Sequence, residues 1–201
     1  MKLTKVEIKG RRWYKGPDGI LYPSSSSVLD ILFPGSKDWI SEDALARGTI
    51  CHEEMAKAML AQVNKEEYQQ HEDLTVSIRI KAVLAYFSKF QFSIAAIESP
   101  TLYLGVGLTP DLVVKEVHPD GGWIKHLYDY KFAESIVEQY YFQTELYGRA
   151  EEVQKVTILQ CNRKGEVFPY RVRPDQERWE LIKSAINVRH HIDKEVKRYV
   201  Q

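Results

Sequence analysis

The spacing of apolar residues predicts helices in the first half of the chain and strands in its middle. Apolar positions recur every three or four residues in segments 41–62 and 74–90, which is the pattern of amphipathic helices. The polar stretch 64–73 between them predicts a loop. Three later segments are rich in β-branched and aromatic residues and are separated by turn residues, so they predict β-strands over 94–104, 106–117 and 123–132.

Shorter elements surround this framework. A hairpin is predicted over 11–24 and a short helix over 28–33. Ser135 and Glu138 have the spacing of a capping box, which predicts a helix from Ser135 to about Glu152. The remaining segments predict two strands and a terminal helix that begins at Pro174, the strands covering 153–161 and 166–172.

This order of elements predicts an α+β (α/β/α) fold with a mixed central β-sheet flanked by helices. We expect residues 1–201 to form one domain. Residues 1–92 would form a hairpin and a mainly helical part, and residues 93–172 would form the sheet with its helix.

Composition narrows the class of protein. The chain has 201 residues, 44% of them hydrophobic and 28% charged, which is typical of a globular protein able to bury a core. Its 28 basic and 28 acidic residues argue against a purely electrostatic DNA-coating protein. Two cysteines, Cys51 and Cys161, are too few for a zinc or iron–sulfur site. With no apolar leader or membrane span in sight, a cytoplasmic location is expected.

The candidate chemistry centres on Asp129-Tyr130-Lys131. Strand alternation places Asp129 and Lys131 on one face, and an antiparallel neighbour would bring the carboxylate of Asp111 beside that of Asp129. Two carboxylates and the backbone carbonyl of Tyr130 suit Mg²⁺, which keeps several waters. Lys131 would then orient a metal-bound water or neutralise developing charge. Taken alone, an Asp-x-Lys triplet is more typical of a solvated strand edge, and Thr-Pro-Asp is typical of a turn.

Further polar residues fit the same site. Gln143 and Tyr147 share a helical face, although a tyrosine there also suits a core-facing aromatic stripe. Gly48 lies within a predicted helix, where close approach of another group would explain it. His52, one turn later, is a ligand candidate or a structural histidine. Glu98 is either a further acid of the site or an exposed charge at a strand end.

These motifs, in this order, resemble those of the PD-(D/E)XK nuclease superfamily, especially its RecB-like exonuclease branch. That branch includes the Cas4 nucleases, the mitochondrial genome maintenance exonuclease and many phage exonucleases. The matching elements are a glycine–histidine motif, a Gly-x-x-Asp element in which Leu108 replaces glycine, an Asp-x-Lys element and a Gln-x-x-x-Tyr motif. They stand here at Gly48 to His52, Leu108 to Asp111, Asp129 to Lys131 and Gln143 to Tyr147.

The resemblance implies that the α+β fold is restriction-endonuclease-like and that the protein is a DNA exonuclease that uses Mg²⁺ or Mn²⁺. His52, Asp111 and Asp129 would bind the metal, Lys131 would be catalytic, and Gln143 with Tyr147 would support the site or the DNA. The iron–sulfur cluster of Cas4-type relatives is not expected. The substrate would be linear DNA or single-stranded ends, in phage or prophage recombination or replication with an unknown protein partner.

Two other functions remain open. One is a structure-selective or restriction-type endonuclease, and the other is a non-catalytic nucleic-acid-binding protein on a nuclease scaffold. Candidate DNA contacts are basic and aromatic residues whose alternative is ordinary surface or packing, namely Arg11, Arg12, Arg47, Arg163, Lys164, the segment 189–198, Trp13, Tyr14 and Trp39.

Overall fold

The computed structural model describes residues 2–36, 40–118 and 120–200, with the side chains of 195–200 left aside. In these ranges the helices are α1 (Ser25–Leu32), α2 (Glu42–Asn64), α3 (Leu74–Phe87), α4 (Glu138–Ala150) and α5 (Gln176–Val200). The strands are β1 (Thr4–Ile8), β2 (Arg11–Lys15), β3 (Leu21–Pro23), β4 (Phe92–Ile97), β5 (Thr101–Tyr103), β6 (Val106–Leu108), β7 (Leu112–Val117), β8 (Trp123–Lys131), β9 (Lys155–Cys161) and β10 (Val167–Val172).

A five-stranded sheet organises the molecule, in the order β10-β9-β8-β7-β4. Strands β8 and β9 run parallel, joined by a crossover that contains α4, and the other neighbours are antiparallel. The predicted α+β fold with a mixed central sheet is therefore confirmed. Two small additions accompany it, a three-stranded sheet β1-β2-β3 and a ribbon β5-β6.

Each face of the large sheet buries its own core. One core lies between the sheet and helices α2 and α3, and alternate residues such as Val114, Tyr128 and Leu159 point into it. The other core lies between the sheet and helices α1, α4 and α5, where Val113 and Leu127 meet the helices. We call these the α2 face and the α4 face. Strand β8 lies between two neighbouring strands, and its last six residues are buried.

Local sequence chemistry sets the starts of three helices. The hydroxyls of Ser24 and Ser41 accept hydrogen bonds from the third residue after them, and Asp73 does so at α3. Helix α2 also carries Glu42 and Asp43 in its first turn, where the helix dipole favours acids. The hydroxyl-capped short helix and the two long helices were predicted within a few residues.

The predicted capping box at Ser135 and Glu138 is wrong. Helix α4 begins at Glu138 and its N-cap, Val137, makes no side-chain capping bond. Residues 133–137 instead form a bent connection, and the side-chain amide of Gln160 donates to the carbonyl of Ala133. The hydrogen bond from Gln160 is a tertiary contact, which the local capping-box pattern does not predict.

Two of the predicted long strands are interrupted. The segment 94–104 divides into β4 and β5 at Glu98, whose backbone has a positive φ of 41°. The segment 106–117 divides into β6 and β7 at Thr109-Pro110, because proline has no N–H for the ladder. Strand β1 was not predicted. Each helix in the described residues is too short or too polar to cross a lipid bilayer.

Replacing Gly48 with alanine is expected to stabilise the fold. A Cβ there meets no atom within 4 Å, so the predicted close approach of another group is wrong. Alanine in a helix interior is favoured over glycine by about 0.5–1 kcal/mol. Urea unfolding of Gly48→Ala should show a higher midpoint with an unchanged slope. A lower midpoint would mean that the helix needs the glycine conformationally.

Candidate active site

The site lies at the end of the sheet where strand β7 begins and strand β8 ends. Leu112 pairs with Tyr128, and continuing this antiparallel register by one residue brings Asp111 opposite Asp129. The backbone N–H of Tyr130 donates to Oδ2 of Asp111 at 2.6 Å. Asp129 is fully buried and Asp111 nearly so. The structure therefore places the two carboxylates side by side, as the sequence predicted.

Lys131 forms a buried ion pair with Asp129. Its Nζ lies 2.5 Å from Oδ2 of Asp129, and both side chains project from the α4 face. The angles are not those of a regular hydrogen bond, and within the described part of the chain neither oxygen of Asp129 has such a bond. A carboxylate buried in this way needs a cation for compensation. Lys131 supplies one at Oδ2, and Oδ1 stays available for a further ligand.

His52 and Glu98 complete a cluster around Asp111. Nδ1 of His52 lies 3.3 Å from Oδ1 of Asp111 and 3.9 Å from Oε1 of Glu98. Ligand atoms of all three residues lie within 4.8 Å of one another. Helix α2 brings in His52, whereas Glu98 and Asp111 come from the two segments that interrupt the predicted strands.

The backbone at Glu98 is held in an unusual conformation. Its φ of 41° lies in the left-handed region, which side chains other than glycine, asparagine and aspartate rarely adopt. The N–H of Glu98 donates to the carbonyl of Asp111 at 2.9 Å and holds the conformation. Strain of this kind concentrates at functional positions. Here it turns the Glu98 carboxylate toward His52 instead of leaving it at an exposed strand end.

Sequence reasoning missed Lys5. Its ammonium lies 3.3 Å from Oε2 of Glu98 and comes from strand β1, which was not predicted. A lysine in a short polar N-terminal segment carries no sequence signal of its own. Only the pairing of β1 with β2 brings it to the cluster.

Helix α4 covers the site from the α4 face. The amide of Gln143 donates to the hydroxyl of Tyr147 at 2.8 Å, and the hydroxyl of Ser25 lies 3.3 Å from the same oxygen. The ring of Tyr140 packs against the ammonium of Lys131, with the nitrogen 4.9 Å from the ring centroid. Gln143 and Tyr147 therefore share a helical face, as their spacing predicted, and Ser25 of α1 contacts that face.

The environment separates the pKa values of the acids. Burial, opposed by Lys131 and reinforced by Asp111, raises the pKa of Asp129 to about 6. Burial and the charge of Asp111 raise the pKa of Glu98 to about 7, against the effect of Lys5. For Asp111 itself burial is outweighed, chiefly by His52, and its pKa is lowered.

The basic residues and Tyr147 respond to the same charges. Burial opposes protonation of both His52 and Lys131, but neighbouring carboxylates outweigh it and raise both pKa values. Burial, reinforced by Asp129, raises the pKa of Tyr147 above its ordinary range. Tyr147 therefore keeps its proton and lies within electrostatic reach of Asp129.

The donor set fits a divalent cation such as Mg²⁺ or Mn²⁺. Carboxylate oxygens suit both ions, and imidazole adds affinity for a transition metal. Asp111, Glu98 and His52 offer converging atoms, and Asp129 offers oxygens without regular hydrogen bonds. The peptide of Tyr130 lies beside them through its bond to Asp111. Its carbonyl as a ligand stays a prediction, as do the catalytic roles of Lys131, Gln143 and Tyr147.

Stabilisation by Mn²⁺ is expected to grow with pH. The folded-state pKa values of Asp129 and Glu98 are raised, so their contribution to the stability of the ion-free protein is present at low pH. That contribution is lost as pH rises through about 6 to 7. An ion needs the ionised carboxylates, so its binding has the opposite trend.

Thermal unfolding from pH 5.5 to 8 with and without Mn²⁺ measures this effect. At an ion concentration of roughly 100 times Kd the stabilisation reaches about 2.7 kcal/mol. For a domain of this size that is roughly 5–10 °C in Tm at the upper pH. A shift in Tm that is constant or falls with pH would contradict the assignment of these acids as ligands.

Two predicted DNA contacts do not fit the structure. Tyr14 is buried and its hydroxyl hydrogen-bonds that of Thr109 at 2.7 Å, so its ring cannot stack on a base. Arg189 is buried in an ion pair with Asp193 and lies over the ring of Trp13. Trp39 lies outside the described residues. Arg163 and Lys164 are exposed, in the turn between β9 and β10.

Comparison with solved structures shows that other proteins have a similar architecture. The chain is similar to the crystal structure of an alkaline exonuclease (LHK-Exo) from Laribacter hongkongensis, with a TM-score of 0.52 and 11% sequence identity over 89% of this chain and 91% of that one. The structure of LHK-Exo in complex with dAMP matches with a TM-score of 0.51 and 11% identity over the same shares of both chains. No protein-family model and no curated protein sequence matches the chain. The similarity shows that the chain shares its fold with that exonuclease.

Proposed function

We propose that this protein is a metal-dependent deoxyribonuclease, and specifically an exonuclease that hydrolyses phosphodiester bonds. The observation that carries the proposal is the meeting of His52, Glu98 and Asp111 with the buried pair of Asp129 and Lys131. Convergent acids beside a buried lysine, in a site with strongly shifted pKa values, are typical of catalytic centres. The fold shared with LHK-Exo supports the same class of reaction.

The residues divide into ligands and a charge-stabilising group. Asp111, Asp129 and His52 would hold the ion, with the Tyr130 carbonyl and Glu98 as further ligands. A bound divalent ion lowers the pKa of a coordinated water and offsets the charge of the scissile phosphate. Lys131 keeps its proton, because Asp129 and Asp111 raise its pKa. It would therefore serve as a fixed positive charge that orients the water or stabilises the pentacoordinate transition state.

Helix α4 would hold the reacting end of the substrate. Gln143 is half-buried, and its amide donates to Tyr147, so its carbonyl oxygen and second N–H remain for a phosphate-bound water or a nucleotide. The ring of Tyr140 restricts the ammonium of Lys131. These contacts would fix the lysine before DNA arrives, which reduces the reorganisation needed in the transition state.

Exonuclease action on linear DNA or single-stranded ends is the favoured mode. LHK-Exo, which shares the fold, is an exonuclease and has been crystallised with dAMP, a mononucleotide. A role in phage or prophage recombination or replication belongs to the same proposal. The survival of Asp111, Asp129 and Lys131 together argues against a non-catalytic scaffold.

End-labelled linear DNA and closed circular DNA should give different results with the purified protein. With Mg²⁺ or Mn²⁺ we expect linear DNA to be degraded to mononucleotides or short products and circles to persist, and EDTA to stop the reaction. Labels at the two ends of separate substrates would give the polarity. Cleavage of circular DNA would show that the protein is an endonuclease and that the proposed exonuclease mode is wrong. Binding without cleavage under any metal would overturn the enzyme proposal.

A further inference from the structure

Two aromatic side chains lie exposed on the edge strand β10. Phe168 is 42% exposed and Tyr170 is 37% exposed. Val167, which alternates with them, packs against the core of the α2 face, so the two rings belong to the α4 face. We call Phe168 and Tyr170 the β10 shelf.

The β10 shelf continues the rows of the sheet that carry the candidate catalytic residues. Lys131 on β8 pairs with Gln160 on β9, and Gln160 pairs with Phe168 on β10. In the next row, Asp129 pairs with Ile158, and Ile158 pairs with Tyr170. Paired residues point to the same face, and adjacent strands are about 4.8 Å apart. The backbone of Phe168 is therefore roughly 10 Å from that of Lys131, two strands away on the same face.

A buried amide ties the shelf to the site. The hydroxyl of Tyr170 donates to Oε1 of Gln160 at 3.0 Å, and Nε2 of Gln160 donates to the carbonyl of Ala133 at 3.0 Å. Gln160 is 4% exposed, so the amide that both bonds share is shielded from water. The ring of Tyr170 is thus positioned by the same amide that holds the chain just after Lys131. An exposed aromatic residue on a rigid strand loses little freedom when it binds a partner.

Positive charge borders the shelf at the turn between β9 and β10. Arg163 and Lys164 are exposed there, and Arg163 forms an ion pair at 3.5 Å with Glu134 in the segment that follows Lys131. A lone exposed aromatic residue is ordinary surface. Two neighbouring rings beside basic residues, in line with a candidate phosphodiester-cleaving centre, match the way in which proteins bind unpaired strands by stacking and charge.

We propose that the β10 shelf binds unpaired bases of the DNA strand whose backbone enters the site at Lys131. The inference rests on the proposed nuclease function and specifies its substrate as DNA with a single-stranded segment next to the scissile bond. Stacking tolerates any base, so the shelf would give strand preference without sequence preference.

Binding of DNA by the full chain in EDTA tests the shelf separately from catalysis. Fluorescence anisotropy with a labelled single-stranded oligonucleotide and a blunt duplex would compare wild type, Phe168→Ala and Phe168→Trp. Loss of one stacked base should weaken single-strand binding about tenfold. The blunt duplex should change by less than about twofold, and Phe168→Trp should retain wild-type binding of both DNAs.

Trp123→Ala is the matched control, because Trp123 is 64% exposed and lies at the start of β8, far along the strand from Lys131. This variant should leave both affinities unchanged. The shelf is wrong if Phe168→Ala behaves like Trp123→Ala, or if it weakens duplex and single-strand binding equally. Capture of a protein strand on this edge, with DNA binding unaffected, would also overturn it.

Failure of the shelf and failure of the nuclease proposal give different patterns. If wild type degrades linear DNA while Phe168→Ala binds single strands normally, the nuclease proposal is supported and the proposed role of the β10 shelf is wrong. If wild type never cleaves but Phe168→Ala loses single-strand binding, the shelf stands on a non-catalytic DNA-binding protein.

Discussion

Asp129→Asn is expected to lower metal-dependent DNA cleavage by roughly 10³-fold, the upper range for loss of one preorganised electrostatic contact. The amide has the shape of the carboxylate but neither its charge nor its affinity for a hard cation. Because Asp129 is fully buried and paired with Lys131, the variant also removes the partner of a buried ammonium. Initial rates on end-labelled linear DNA, measured over a range of Mn²⁺ concentrations, would quantify the loss.

Asp120→Asn provides the control, since Asp120 lies in the exposed turn between β7 and β8 and contacts His118 and the backbone of Gly122. It should retain wild-type activity. Circular dichroism would show whether Asp129→Asn keeps the fold. A folded Asp129→Asn protein with full metal-dependent activity would rule out the proposed site.

Lys131→Met tests the other half of the ion pair. Methionine keeps the aliphatic part of the side chain and removes the charge, and we expect a loss of roughly 10²–10³-fold in rate. Metal affinity should not fall at a pH where Asp129 is ionised, because the competing ammonium beside it is gone. Titration of Mn²⁺ by calorimetry separates the two effects. Loss of metal binding with the lysine would mean that Lys131 shapes the site and does not act on the substrate.

Gly107→Ala is expected to be the most destabilising small substitution near the site. A Cβ on Gly107 would lie 2.1 Å from Cδ2 and 2.3 Å from Cγ of Tyr14. Tyr14 is buried and its hydroxyl is bound to Thr109, so the ring has no room to retreat. Overpacking of this kind costs about 1–3 kcal/mol or more. Tm should fall by roughly 2–12 °C.

The experiment contains its own comparison. Gly48→Ala adds the same methyl group in open space and should raise the stability that Gly107→Ala lowers. Calorimetry of both variants, and of Tyr14→Ala combined with Gly107→Ala, isolates the clash. The double variant should lose less than the sum of the two single variants. Additive losses would show that Gly107 is needed for its backbone and not for the approach of Tyr14.

Much of this arrangement follows from the local pattern of the sequence. Alternation in β8 correctly places Asp129 and Lys131 on one face, and the antiparallel hairpin brings in Asp111. Helical spacing correctly aligns Gln143 with Tyr147. These are properties of residues a few positions apart or joined by one short turn, which periodicity can determine.

Other features depend on contacts between distant segments. Lys5 reaches Glu98 only through the unpredicted sheet of β1, and Glu98 turns inward only because its N–H bonds to Asp111. Gln160 replaced the expected capping box at α4 by holding Ala133. Tyr14 looked available for DNA, yet the small Gly107 lets it pack inside. Such outcomes depend on which groups from distant segments come into contact, and the local periodicity of the sequence does not predict those contacts.

His52 stands on helix α2, whereas Asp129 lies on strand β8 and Asp111 directly precedes strand β7. An ion bound by all three residues would link a helix and a sheet that are far apart along the chain. A cross-link that closes a long loop is the kind expected to stabilise a fold most. While it is bound, the metal ion would hold helix α2 to the sheet. Hydrogen exchange should reveal this as slower opening of α2 when Mn²⁺ is present, with β10 unaffected.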